Sequence, residues 1–270
     1  MSIRTLVVHG DIDEPACARM ALAIELARAH RSKLLAVFPL NGYSADFLDA
    51  PYAPLASIER HVAAERRRAA EGATEFANKA QRAGVQAEWK AVEGRPADVL
   101  ATIGAAADII VMSDDGADGA NELVPAVTLT SGRPVLCVPR GWTSPVCARR
   151  ILVAWNGSRE AARAASDALP LLQAAEEVIV FSAGAAADGC AEAQRGAAYL
   201  AAHHVTADIQ YAVTSSDRDA GRAILKAATD SRADLIVMGI YGHHRWREWA
   251  LGGATRTVLR SLPVPALLSY

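Results

Sequence analysis

Four glycines near the carboxyl end of the chain have the spacing best suited to binding chemistry. Gly239 and Gly242 follow an apolar run, and nine residues separate Gly242 from the pair Gly252-Gly253. A glycine at the end of a strand lets the backbone turn sharply and lets a ligand approach without a Cβ in the way. Glycines just before a helix present free backbone N–H groups at its positive end, which favours a phosphate. The spacing therefore predicts an anion site between a buried strand and a helix.

A polar side chain is expected at the same place. Asn156 follows another apolar run, 151–154, and precedes Gly157-Ser158. In an open parallel sheet, ligands bind in the crevice beyond the carboxyl ends of the strands. Asn156 and the four glycines are therefore predicted to face one crevice.

The elements that must position these residues belong to a repeated pattern. Three segments of the first half match three segments of the second half in the same order. The matching pairs are 4–8 with 150–154, 107–112 with 233–238, and 133–139 with 263–268. Units of this length indicate a duplicated domain and not a short-period solenoid.

Within each half, short apolar runs alternate with alanine-rich stretches, which is typical of a parallel sheet with helical crossovers. We expect strands at 6–8, 34–38, 85–92, 109–112, 135–138, 151–154, 178–181, 206–213, 235–238 and 266–268. We expect helices at 15–30, 57–84, 98–107, 124–131, 159–173, 189–203, 218–232 and 254–262. The pattern predicts an α/β fold of two tandem, doubly wound, parallel five-stranded domains, 1–140 and 149–270, with a linker at 141–145.

Composition narrows the class of function. The chain has 270 residues and a formal net charge of −2, which does not favour nucleic acid or an anionic membrane as a partner. The apolar runs are all shorter than the roughly 18 residues needed to span a bilayer. The four cysteines are scattered without metal-ligand spacing, a pattern that suits reduced thiols in a cytoplasm. We therefore expect a cytoplasmic protein without a metal site.

On these motifs the chain resembles a tandem universal stress protein over essentially all of both halves. Nucleotide-binding members of that family carry Gly-x2-Gly-x9-Gly-Ser/Thr after the fourth strand and an acidic residue after the first strand that contacts adenine. The resemblance implies a Rossmann-like, adenine-nucleotide-binding fold whose halves pair through their closing strands as an intramolecular pseudo-dimer. It implies ATP or another adenine nucleotide, with or without Mg²⁺, as the ligand of the second half.

The resemblance also implies which residues hold the nucleotide. Asn156 stands at the adenine contact, Ala183 and Met238 lie beside the base, and the glycines with the next two residues meet the phosphates. The implied set is Asn156, Ala183, Met238, Gly239, Gly242, Gly252, Gly253, Ala254 and Thr255. Two members depart from the family pattern, because Gly253 replaces Ser/Thr and Asn156 replaces Asp. A hydrogen bond to a charged group contributes about 1.5–3 kcal/mol against about 1 kcal/mol for a neutral one, so a weaker affinity is expected.

The first half departs further from the pattern. Asp11 follows its first strand, at the place of the adenine contact. Asp114 and Asp115 stand where the phosphate glycines should begin, and carboxylates there would repel a triphosphate. The first half is therefore predicted to be a degenerate, structural copy.

Several alternatives stay open on the sequence alone. A regulatory or sensor module with unidentified protein partners is favoured over an enzyme, because the sequence has no Walker lysine, nucleophile elbow or catalytic triad. Slow ATP hydrolysis and a scaffold that binds no nucleotide are the alternatives, and a homodimer of two chains is a further one. The histidine pairs 203–204 and 243–244 are interpreted as exposed or capping residues. The stretch 245–249 is interpreted as a loop over the crevice or an oligomer contact.

Overall fold

The computed structural model describes residues 2–12, 14–40, 55–113, 122–184, 189–241 and 253–270. Ten strands form one sheet in the order β3-β2-β1-β4-β5-β10-β9-β6-β7-β8. The strands are β1 (Thr5–His9), β2 (Lys33–Leu40), β3 (Ala87–Glu93), β4 (Ile109–Ser113), β5 (Val135–Val138), β6 (Arg150–Ala154), β7 (Glu177–Gly184), β8 (Asp208–Val213), β9 (Leu235–Gly239) and β10 (Ala266–Ser269).

Eight helices connect these strands in the described part of the chain. They are α1 (Glu14–His30), α2 (Leu55–Arg82), α3 (Pro96–Gly104), α4 (Leu123–Ser131), α5 (Arg159–Leu172), α6 (Gly189–Ala202), α7 (Asp217–Asp230) and α8 (Gly253–Arg260). Each helix follows a strand and leads to the next one, as the alternation of apolar runs and alanine-rich stretches predicts.

The two halves have the same topology. Within each half all strand pairs are parallel, and the five strands follow the same order, with the first strand beside the second and the fourth. The central strands are buried along their length, since helices cover both faces of the sheet, whereas the edge strands β3 and β8 are largely exposed. The predicted α/β class, with two parallel five-stranded units, is confirmed.

The halves join through their closing strands. β5 and β10 pair antiparallel, with Leu136 opposite Leu267 and Val135 opposite Leu268. Leu136 and Leu267 are equivalent positions of the two halves, because Leu136 pairs with Val111 of β4 as Leu267 pairs with Val237 of β9. A residue that pairs with its own equivalent is the signature of a two-fold axis, as in an isologous dimer. The predicted intramolecular pseudo-dimer is thus confirmed, and each of the two hydrophobic clusters contains residues of both halves.

The repeated Ala-Asp pair before the fourth strand has one structural role in both halves. The Asp108 carboxylate accepts hydrogen bonds from the backbone N–H groups of Arg4 and Thr5 at 2.7 and 2.9 Å. Asp234 accepts the same bonds from Arg149 and Arg150 at 3.1 and 2.9 Å. Burial acts to raise the pKa of Asp108, but these hydrogen bonds outweigh it and leave that pKa below its usual range. The carboxylate thereby ties the start of the fourth strand to the first.

Across the described ranges, helices that combine the length and the hydropathy of a bilayer-spanning segment do not occur.

Candidate functional site

A cleft with a volume of about 390 Å³ opens at the carboxyl ends of β6, β7 and β9 in the second half. These three strands are neighbours, so the residues that follow them meet at one edge of the sheet. Of the nine residues implied by the family resemblance, six line this cleft. They are Asn156, Ala183, Met238, Gly239, Ala254 and Thr255.

The loop after β6 forms one wall of the cleft. The Asn156 Oδ1 accepts a hydrogen bond from the Ser158 N–H at 3.2 Å, and Gly157 has a φ of +72°. The Ser158 hydroxyl then accepts from the Ala161 N–H at 3.1 Å and caps the first turn of α5. The sequence Asn-Gly-Ser therefore builds a tight strand-to-helix turn, and one lone pair of the Asn156 oxygen is already used inside that turn.

An apolar wall lies beside this loop. Ala154 pairs with Phe181 on one side and with Met238 on the other. Phe181 and Met238 are both 4% exposed, and Ala183 follows Phe181 on β7 at the cleft. This wall is apolar, which suits the face of a planar ring.

Gly239 has a different constraint from the one predicted for it. A Cβ at this position would overlap the carbonyl carbon of Glu160 and lie 2.6 Å from the Ala161 nitrogen. The missing side chain thus lets the end of β9 approach the first turn of α5. Although Gly239 lines the cleft, helix packing and not ligand approach requires the glycine.

The first turn of α8 forms the opposite end of the cleft. Ala254 and the buried Thr255 line the cleft, whereas Gly253 lies in a neighbouring groove. A Cβ on Gly253 would lie 3.0 Å from the Asp217 Cβ and 3.4 Å from the Arg218 nitrogen at the start of α7. The glycine that replaces the family's Ser/Thr therefore accommodates the close approach of α7 and α8.

The other predicted site residues lie outside the described residues. These are Gly242 and Gly252, together with the aromatic and basic stretch 245–249 and the histidines 243–244. In the histidine pair 203–204, the His203 ring packs against the Tyr199 ring, with centroids 4.8 Å apart. Groups of three or more metal-ligating side chains are absent from the described ranges.

Sequence reasoning missed several polar residues of the cleft. Thr214, Ser215 and Ser216 follow the edge strand β8 and lie next to Asp217 at the cleft. The Ser216 hydroxyl accepts from the Asp219 N–H and caps α7, while both serine hydroxyls donate to the Asp219 carboxylate. These bonds hold the pKa of Asp219 below its usual range. A run of hydroxyl residues between a strand and a helix start was the available signal.

Glu192 is the other missed residue, and no motif marks it. It lies in the first turn of α6 and lines the cleft next to the loop that contains Asn156. Glu192 and Asp217 are the charged side chains among the described residues of the lining, which include no lysine or arginine. The described part of the cleft is thus acidic.

The same region of the first half is filled by side chains. The Gly10 N–H donates to the Val37 carbonyl as the Trp155 N–H does to Phe181, so Gly10 and Trp155 are equivalent. The Trp89 ring lies 2.9 Å from where a Gly10 Cβ would be and 2.8 Å from where a Gly72 Cβ would be. Asp11, the equivalent of Asn156, is held by an ion pair with Arg68 at 2.7 Å. Asp114 and Asp115 lie outside the described residues.

A model of the Universal stress protein family matches residues 148–269. Among solved structures, a universal stress protein from Archaeoglobus fulgidus DSM 4304 is 19% identical, with a TM-score of 0.78, and the match covers 98% of this chain and 97% of that one. A functionally unknown protein from Pseudomonas aeruginosa PAO1 is 15% identical, with a TM-score of 0.62 and coverages of 99% and 92%. At these identities the two likenesses show a shared fold along both halves.

A third solved structure, a universal stress protein in complex with cAMP, is 22% identical and covers 53% of this chain and 100% of that one. Its TM-score of 0.41 is too low to bear on the ligand of this chain. No curated protein matches the sequence.

Proposed function

Because residues 148–269 form a universal stress protein domain within a chain that has this fold in both halves, we propose that the second half binds an adenine nucleotide. The ligand occupies the cleft at the ends of β6, β7 and β9. Its binding changes the shape of the domain or its affinity for a protein partner, and the first half is a structural copy. The protein is a cytoplasmic regulatory module of the stress response and not an enzyme.

The observation that carries this proposal is the convergence of six residues from four separate segments of the chain on one cleft. Asn156, Ala183, Met238 and Thr255 come from four different elements and face the same space. A volume of about 390 Å³ lies within the usual range for small-molecule sites, roughly 300–1,000 Å³.

The two ends of the cleft differ in chemistry as the two ends of a nucleotide do. The Phe181, Ala183 and Met238 wall offers apolar contact for the base. At the other end, α8 begins at Gly253, and the first backbone N–H groups of a helix carry its positive partial charge. Ala254 and Thr255 at this helix end are therefore suited to the phosphate nearest the ribose.

The first half supports a stoichiometry of one nucleotide per chain. Trp89 and Ile12 pack against Gly10 and Gly72, at the position that corresponds to the cleft. The carboxylate of Asp11 is engaged by Arg68. A base could enter only if the Trp89 ring left its place.

The test is to denature freshly purified protein, identify any released nucleotide by mass spectrometry, and titrate the nucleotide-free protein with AMP and ATP by calorimetry. We expect about one adenine nucleotide per chain. Ala183→Trp should abolish binding by filling the base wall, and Ala91→Trp, on the exposed edge strand of the first half, is the matched control. Two nucleotides per chain would contradict the structural role of the first half. No nucleotide and no heat would favour a scaffold that acts through protein partners.

A further inference from the structure

Glu192 has an incomplete set of hydrogen bonds. Its Oε1 accepts from the Arg195 Nη1 on the same helix, one turn along. Its Oε2 is closed off from solvent and has no hydrogen-bond donor in the part of the chain that the structure describes. The side chain as a whole is 22% exposed and lines the cleft. An ionised oxygen that has lost its water and gained no donor is unfavourable, so a donor at this position would stabilise the cleft.

The carboxylate lies over the loop that should contact the base. The Oε2 is 2.5 Å from the position that a Gly157 Cβ would occupy. A glycine is therefore required at position 157 for two reasons: its φ is +72°, and the carboxylate occupies the space of a Cβ. As a result, a negative charge sits directly beside Asn156, the residue that replaces the family's acid.

The first half shows that this carboxylate is not needed to build the fold. The Val85 N–H donates to the Ala80 carbonyl, and the Val205 N–H donates to the Leu200 carbonyl in the same way, so Ala80 and Leu200 are equivalent. Eight residues before each of them in α2 and α6 lie Gly72 and Glu192, which are therefore equivalent as well. There a Cβ built on Gly72 would lie 2.9 Å from the Cγ2 of Ile12, the equivalent of Gly157. An isoleucine and a glycine do the same packing without a charge.

The charge also limits what the cleft can hold. Glu192 and Asp217 face the cleft without a lysine or arginine in its described lining, and Arg195 is 70% exposed, where water screens it. Like charges a few ångströms apart repel even at a protein surface. Each added phosphate is therefore disfavoured.

We propose that Glu192 is the specificity-determining residue of the cleft: it accepts a hydrogen bond from the nucleoside and selects ligands with few phosphates. This inference rests on the proposed function and specifies its ligand as a nucleoside monophosphate. On this proposal the carboxylate rotates when the ligand binds, so that Oε2 leaves Gly157 and meets the ligand's donor group. Charge-assisted bonds of this kind are about twice as strong as neutral ones.

An adenosine monophosphate carries two donor groups that could meet this carboxylate. One is the exocyclic amine of the base, and the other is the pair of ribose hydroxyls, which acidic side chains bind in dinucleotide folds. IMP lacks the amine, and 2′,3′-dideoxy-AMP lacks the hydroxyls. Comparison of the three ligands therefore identifies the donor.

The experiment is calorimetric titration of the full chain with AMP, IMP, 2′,3′-dideoxy-AMP and ATP, using Glu192→Gln and the wild type. Glutamine keeps the shape and removes the charge. We expect AMP affinity to fall by about tenfold in Glu192→Gln, because a charged hydrogen bond becomes a neutral one. The ratio of ATP to AMP affinity should rise by a similar factor. Glu176→Gln is the control, because Glu176 pairs with Arg149 at the opposite end of the sheet.

Each outcome assigns or overturns the inference. If the wild type prefers AMP to IMP and Glu192→Gln does not, the amine is the donor. If the wild type prefers AMP to 2′,3′-dideoxy-AMP and Glu192→Gln does not, the ribose hydroxyls are the donors. Unchanged preferences and an unchanged ATP-to-AMP ratio in a folded Glu192→Gln protein overturn the inference alone. A wild type that binds none of the four ligands overturns the proposed function and the inference with it.

Discussion

The two halves share one backbone and differ in how the space beyond their first strands is filled. In the first half Trp89 on β3 packs against Gly10 and against the Phe76 ring, with centroids 5.7 Å apart. In the second half Trp155 occupies the place of Gly10 and packs on Gly196, whose Cβ would lie 2.8 Å from the Trp155 Cγ.

The tryptophan packing in the two halves involves equivalent positions of the fold. By strand and helix register, Gly10, Phe76 and Trp89 correspond to Trp155, Gly196 and Ile209. Gly10 corresponds to Trp155 and Phe76 to Gly196, so in these two pairs a large residue of one half corresponds to a glycine of the other and the volume changes offset each other. Cores tolerate such exchanges when volume is kept. Packing is therefore conserved between the halves although the residues are not.

The consequence differs at the ligand side. When the indole comes from the edge strand, it covers the end of β1 and occupies the space of a ligand. When the indole comes from the loop after β6, it packs beneath α6 and leaves the cleft open. A second exchange lies next to it: Ile12 and Gly72 of the first half correspond to Gly157 and Glu192 of the second. This exchange adds a carboxylate to the open cleft. A few compensated substitutions thus distinguish the filled region of the first half from the open cleft of the second.

The largest expected effect comes from breaking this exchange. Trp155→Gly puts the first half's residue into the second half and leaves a cavity over Gly196. Trp155 is 9% exposed, and removing a buried tryptophan destabilises a protein by about 3–5 kcal/mol. Urea unfolding should show this loss in the free energy of unfolding of the variant.

The matched control completes the transplant. Adding Gly196→Phe and Ile209→Trp to Trp155→Gly recreates the arrangement of the first half, and we expect it to recover at least half of the lost stability while closing the cleft. Equal stability of the single and triple variants would show that the three positions do not compensate one another.

The sequence was sufficient to predict the common frame and not these differences. Periodicity and the repeated Ala-Asp run predict the alternating strands and helices and the duplicated domain, because they reflect burial on both faces of the sheet, whereas the pairing of the halves came from the family resemblance. Gly239 lines the cleft, but its missing side chain is required by a contact with Glu160 that depends on how α5 docks. Glu192 could not be predicted as a cleft residue, because its position there depends on a contact with Gly157, which lies 35 residues earlier in the sequence. Tertiary contacts of this kind leave no local pattern.

A pH measurement sharpens the comparison at the end of the first strand, where His9 corresponds to Ala154. Burial, with a smaller contribution from Arg19, lowers the pKa of His9 from 6.5 to about 3. Between these values the unfolded chain binds a proton that the folded chain does not, so stability falls as the pH decreases through this window. The slope is about 1.4 kcal/mol per pH unit. We expect a loss of about 2–3 kcal/mol between pH 6.5 and 4.5 from this group.

The variant that isolates this effect is His9→Ala, the residue of the second half. Its unfolding free energy, measured by urea titration at several pH values, should lose this part of the pH dependence. His30, whose pKa is also lowered by burial, stays in both proteins and cancels in the comparison. Parallel pH profiles for the variant and the wild type would mean that His9 is protonated in the folded chain.

The smallest effect concerns the glycine at the start of α8, which faces α7 in the second half. Gly253→Ser restores the residue type of the family motif, but its Cβ would lie 3.0 Å from the Asp217 Cβ, tighter than ordinary packing. We expect a destabilisation of about 1 kcal/mol, at the low end for overpacking, because α7 must shift by a few tenths of an ångström. Gly184→Ser is the control, since no atom lies within 4 Å of its Cβ position. If Gly253→Ser is as stable as the wild type, the departure from the motif is not a packing requirement. The reason for the glycine would then be sought in the ligand, because a serine hydroxyl at this helix end favours additional phosphates.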